Sequence, residues 1–126
     1  MKKKLSLEDI CLTIEQAKEL QKLGVDFSNA NLAFANVIEL YIGIFKYEIV
    51  RNCLELKDDL IPTLTNSEML EILPKEIGDK SIVLRNYEDE WVIEYKNHLV
   101  IPSISEGLLR DALFEMIKYL KSIKLM

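Results

Sequence analysis

The side chains with the richest chemistry are few in this 126-residue chain, and they are scattered. His98 is the single histidine, in the run YKNHLV. General-base or metal chemistry at a histidine needs partners, either a nucleophile with an orienting carboxylate or further ligands. None stands at a suitable spacing, so His98 is expected to be an exposed loop residue. Cys11 and Cys53 are the only cysteines, and they lie far apart with no C-x-x-C spacing. They propose neither a metal site nor a disulfide framework and are expected to be reduced, mostly buried thiols.

Glu88, Asp89 and Glu90 place three carboxylates in succession, a composition that attracts cations. The alternating oxygen ligands, glycine and distal glutamate of a calcium loop are missing, so these acids are expected to stay solvated at a hairpin tip. Trp91 and Tyr95 fall on one side of an alternating strand pattern. They form either an aromatic binding platform or, as the preferred reading, a surface packed under a helix. Trp91, Tyr95, Glu88, Asp89 and Glu90 are therefore the candidate binding residues. The glycines at 24, 43, 78 and 107 are isolated and make no phosphate cradle, and no G-x-S-x-G nucleophile turn occurs. With no convergent acid, base or nucleophile legible, the chain reads as a non-enzyme, with no catalytic residue, cofactor or metal assigned.

Charge narrows the partners. The chain carries 16 basic and 21 acidic residues, a net charge of −5. Nucleic-acid binding usually draws on a concentrated basic face. The only basic clusters are Lys2 to Lys4, and Lys118, Lys121 and Lys124 in the last helical pattern, where a helix dipole already favours cations. Nucleic acid is thus an unlikely partner. Glu8 and Asp9 interrupt the apolar run that a leader following MKKK would need, and no apolar tract is long enough to span a bilayer, so a cytoplasmic, non-membrane protein is expected.

These residues must be held by recognisable elements. Thr13 and Gln16 form a capping box ahead of Ile14, Ala17, Leu20 and Leu23, and Gly24 is placed to end that helix in a left-handed conformation covered by Val25. Residues 5–12 fit either a short helical turn or an extended lead-in. Between 31 and 53 two periods compete: Phe34, Val37, Ile38, Tyr41, Ile42, Phe45 and Ile49 fit a helix, whereas Ile38, Leu40, Ile42 and Ile44 alternate as in a strand. β-branched and aromatic enrichment from Leu40 to Val50, together with Gly43, favours strand. Thr65 and Glu68 form a second capping box, with Leu64 and Met69 as a staple and Pro74 as the stop. Residues 81–95 predict a hairpin turning near Glu88 and Asp89, with a short extended piece at Leu99 to Ile101. Ser103 and Glu106 form a third box, which predicts a helix carrying Leu108, Leu109, Ala112, Leu113, Met116, Ile117 and Leu120.

The order helix, extended region, helix, hairpin, helix implies an α+β fold, a mainly antiparallel sheet with helices on one face, in a single globular domain over 1–126. The alternative is a mostly helical chain with one β-hairpin.

Three stretches together, LTIEQAKELQKLGVD, IPTLTNSEMLEILPKEI and LLRDALFEMIKYL, resemble a group of small uncharacterised proteins of phages and mobile elements in gut anaerobic bacteria. The marks here are Leu23 and Gly24, Pro62 to Leu64, Leu73 to Lys75, Trp91, and Asp111 to Leu113. The resemblance spans about a third of the chain. It implies a shared fold and brings no activity or functional residue with it; residues 31–60 are more apolar than that group leads one to expect. Resemblance and elimination together suggest a non-catalytic protein-interaction or accessory factor of a phage or mobile element. The partner is an unknown protein, and no oligomeric state follows from the sequence. The alternative is a weak nucleic-acid-binding accessory protein that uses the terminal lysines.

Overall fold

A computed structural model describes residues 9–28, 30–39, 44–51, 60–98 and 100–126. Lys2 to Lys4, Gly43, Cys53 and Leu99 lie outside the described residues. The fold is α+β, with antiparallel pairing throughout the described strands. Chain contacts divide it into two compact units, Met1–Thr65 and Asn66–Met126.

In the first unit, α1 (Ile14–Lys22) starts at the expected capping box. The Thr13 hydroxyl accepts from the Gln16 amide at 3.1 Å, and the Gln16 side chain accepts from the Thr13 amide at 3.0 Å. Gly24 takes φ +91°. Its amide donates to Gln21 at 3.1 Å, and the Val25 amide donates to Leu20 at 3.0 Å. This is the paired bonding of a Schellman ending, and it satisfies carbonyls that the helix would otherwise leave orphaned.

The described part of the ambiguous segment is strand, while Leu40, Tyr41 and Ile42 lie outside the described residues. β1 (Leu32–Glu39) pairs with β2 (Ile44–Arg51) from Leu32↔Arg51 to Glu39↔Ile44, and with β3 (Leu60–Thr63), giving the order β2-β1-β3. A helix would satisfy its backbone locally, whereas here the β-branched residues find a complete cross-strand ladder. Of the lead-in, Asp9 lies in a 3-10 turn and Ile10 in a bend, and the chain then extends: Cys11 bridges Thr65, and the Leu12 amide donates to Leu64 at 3.0 Å. Thr63, wholly buried, donates its hydroxyl to the Leu12 carbonyl at 2.8 Å. A polar side chain is tolerated in this core because its hydroxyl is bonded. Around it Cys11, Leu12, Ala17, Leu20, Ala33, Phe34 and Leu64 are buried.

The second unit opens with α2 (Asn66–Ile72), directly after Thr65 as predicted. Pro74 follows its end, and the Lys75 ammonium donates to the Leu70 carbonyl in the last turn. The chain then runs as a meander: β4 (Glu76–Ile77), β5 (Lys80–Tyr87), β6 (Glu90–Tyr95) and β7 (Ile104–Glu106), in the order β4-β5-β6-β7. Both tight turns use the left-handed region that two-residue hairpin loops demand at their first position. Gly78 at φ +64° joins β4 to β5, and Glu88 at φ +57° joins β5 to β6. The hairpin and its turn at Glu88 and Asp89 are as expected from the alternation.

Two boundaries differ from the sequence reading. Ile104–Glu106 is a strand, paired Trp91↔Glu106, Val92↔Ser105 and Ile93↔Ile104, and α3 (Leu109–Ser122) begins three residues later, with Leu108 as its N-cap and no side-chain cap bond. Ser103 and Glu106 therefore do not cap it; the open side of β6 offers residues 104–106 a ladder that local capping cannot match. Of the extended piece expected at Leu99 to Ile101, Leu99 lies outside the described residues, and Val100 and Ile101 form a bend. Of the anticipated apolar stripe, Ala112, Leu113, Met116, Ile117 and Leu120 are buried and Phe114 joins them, whereas Leu108 is the N-cap and Leu109 is half-buried. It packs against α2, β6 and β7, and fully burying each large side chain contributes about 1.5–3 kcal/mol.

Candidate functional site

His98 is committed to its own loop. Its Nδ1 accepts from the amides of Val100 and Ile101 at 3.1 and 3.2 Å, so the hydrogen of the neutral ring sits on Nε2. The ring lines an open depression of about 540 Å³ between the Gly78–Asp79 turn and residues Asn97 and Val100. Asp79 and Lys80 stand across it, 3.6 Å apart and paired with each other. The bonds made by His98 go to backbone, so nothing there orients it as a base.

The five candidate binding residues do not converge. Glu88, Asp89 and Glu90 are exposed at the hairpin tip, where Glu90 accepts from the Ser105 hydroxyl at 2.7 Å. Among the described residues no group of three or more His, Cys, Asp or Glu is placed to hold a metal ion. Trp91 is half-buried and Tyr95 is 1% exposed. Strand alternation puts both on the face of β6 shared with buried Ile93, the strand on which α3 packs. Tyr95 lies five residues beyond Glu90, roughly 16 Å along the strand. Its hydroxyl donates to the Pro74 carbonyl at 2.7 Å. Burial pushes this phenol up to about 12. Lys118 sits over the Phe114 ring at 5.7 Å, while Lys121 and Lys124 lie in and just beyond the last turn of α3.

A feature that sequence reasoning missed is the outer edge of β5. The two-residue loop makes Tyr87↔Glu90 a hydrogen-bonded pair, and the Lys96 amide donates to Ser81 at 2.9 Å. Residues 81, 83, 85 and 87 thus turn their backbone groups toward β6. Residues 80, 82, 84 and 86 turn theirs outward. β4 takes up the outward groups of Lys80, and the Lys75 carbonyl accepts from the Ile82 amide at 2.9 Å. At Pro74 the chain then leaves the edge. Leu84 and Asn86 are left with outward amides and carbonyls that no described residue meets. From Val83 to Tyr87 this edge carries no proline and one charge, Arg85, already paired with Glu94. Natural edges are usually blunted by lysine, proline or a covering element.

No protein family model, no curated protein and no solved structure matches this chain. Among the described residues no helix is long and apolar enough to cross a membrane.

Proposed function

We propose that the protein is a non-catalytic interaction factor that holds an extended segment of another protein on the open edge of β5. The observation that carries this reading is the pair of outward backbone positions at Leu84 and Asn86. Strand addition to such an edge supplies affinity through main-chain bonds, without a preformed pocket. The resemblance to phage and mobile-element proteins supports an accessory role in the cytoplasm of a bacterial host.

Affinity capture of the full chain from that host, with nuclease treatment and at low and moderate salt, tests the reading. A protein partner retained by the native chain after nuclease, and lost with Asn86→Pro, is the expected result. Recovery of nucleic acid alone, falling away as salt rises, would move the assignment to the terminal lysines.

A further inference from the structure

We infer that the segment taken up by β5 is a five-residue strand running antiparallel to it, with a carboxylate side chain opposite Arg85 and apolar side chains around it. This rests on the reading of β5 as a docking edge and specifies what docks there.

The length is set by the fold. On one side the edge is closed at Ile82 by the Lys75 carbonyl and by the departure of the chain at Pro74; on the other it ends with Tyr87 at the hairpin loop. Five residues, 83–87, remain. The orientation follows from β4, which occupies the same edge antiparallel to β5. A segment continuing that lane in the same direction exchanges a narrow pair of bonds at Leu84 and another at Asn86, four in all. An antiparallel pair is also the more stable one per residue.

Side-chain chemistry follows from alternation. A residue opposite Leu84 lies on the same face as half-buried Ile82 and Leu84, where an apolar group gains most. Residues opposite Val83, Arg85 and Tyr87 lie on the other face. Tyr87 is 66% exposed and offers an aromatic surface to a β-branched or aromatic neighbour. The Arg85 side chain is 53% exposed even while paired with Glu94. A guanidinium has five donors, enough for a second carboxylate, and opposite charges directly across a ladder attract.

The test pans a phage-displayed random dodecamer library on the full chain, then measures the selected peptides on the native protein, Asn86→Pro and Arg85→Ala. Proline at 86 removes one outward amide at a position where an edge strand tolerates it, and circular dichroism checks that both variants keep the fold. The expected result is peptides carrying an acidic residue flanked by apolar ones. Their affinity should fall about ten-fold with Asn86→Pro, the loss of roughly one backbone bond and its geometry. Their preference for the acidic residue should vanish with Arg85→Ala. Amide exchange should show Leu84 and Asn86 fast in the unbound chain and slow with peptide, while Val83, Arg85 and Tyr87 are slow in both. Peptides that need Asn86 but show no acidic preference, or that dock parallel, overturn this inference and leave the docking edge standing. Binders indifferent to Asn86→Pro, the lack of any binder, or slow exchange at Leu84 and Asn86 in a monomeric unbound chain overturn both. Protection of those amides that grows with concentration alongside a dimeric mass would make a second copy the occupant and also overturn the inference.

Discussion

The Tyr95 hydroxyl bonds the Pro74 carbonyl at 2.7 Å, which ties the buried end of β6 to the residue where the chain turns away from the edge of β5. The bond helps to keep the chain upstream of β4 from lying along that edge. Tyr95→Phe keeps the ring and deletes the bond. A loss of about 1 kcal/mol in unfolding free energy is expected in denaturant titration, in the usual range for a single intramolecular hydrogen bond.

The same residue sets an alkaline limit. Burial raises the Tyr95 phenol from an ordinary value of 10.0 to about 12 in the folded chain. Below pH 10 both folded and unfolded chains keep the proton, and stability is unaffected. Above it the unfolded chain releases the proton while the folded chain retains it, so stability falls as pH rises toward 12. Denaturant midpoints measured at pH 9 and pH 11 should show this decline in the native chain and a weaker one in Tyr95→Phe.

Thr63 offers a test in the first unit. Its buried hydroxyl serves the Leu12 carbonyl at 2.8 Å, joining the lead-in to β3. Thr63→Val preserves shape and leaves that carbonyl with one partner fewer. A destabilisation of about 1–3 kcal/mol is expected, the cost of a buried polar group losing its bond. Thermal unfolding monitored by circular dichroism measures it.

Lys124 runs the other way. It sits at φ +62° in the Schellman ending of α3, where the Leu125 amide donates to Leu120 at 2.9 Å. Glycine adopts that conformation without the penalty of about 1 kcal/mol that a side chain incurs. Lys124→Gly should therefore raise the melting temperature, even though it removes a cation from the helix C-terminus. An unchanged or lower value would mean that the dipole contribution of Lys124 is the larger of the two.

What was legible in the sequence was what is decided locally. Thr13, Gln16 and Gly24 fix both ends of α1 within one short stretch, and each behaves as its spacing dictates. The alternation through Trp91, Ile93 and Tyr95 identified a strand with a buried aromatic face. Ser103 and Glu106 misled because a capping box says nothing of the unpaired side of β6 waiting for residues 104–106. The strands β1 and β2 were ambiguous for a related reason, since either period satisfied the local pattern and only the cross-strand partners settled it. The docking edge was not legible at all. Whether Leu84 and Asn86 are covered depends on the path of the chain before Pro74, and that path is set by contacts between residues distant in sequence, such as Pro74 and Tyr95.

The strand order of the second unit has a consequence for how it is made. Because β4, β5, β6 and β7 each pair with a neighbour in sequence, ring closure costs little entropy at every step and contact order is low for a sheet. The hairpin of β5 and β6 needs only its own two-residue loop to form, within about 1–10 μs once its residues are free of the ribosome. α3 follows β7 in the chain, yet it supplies the cover for Ile93 and Tyr95. During synthesis, at about 5–20 residues per second, the meander stands with its apolar side bare for the roughly 0.7–3 s needed to add the 14 residues Leu109–Ser122. That interval, and not the finished fold, is when this unit is most exposed to chaperones and to misassembly with another nascent copy.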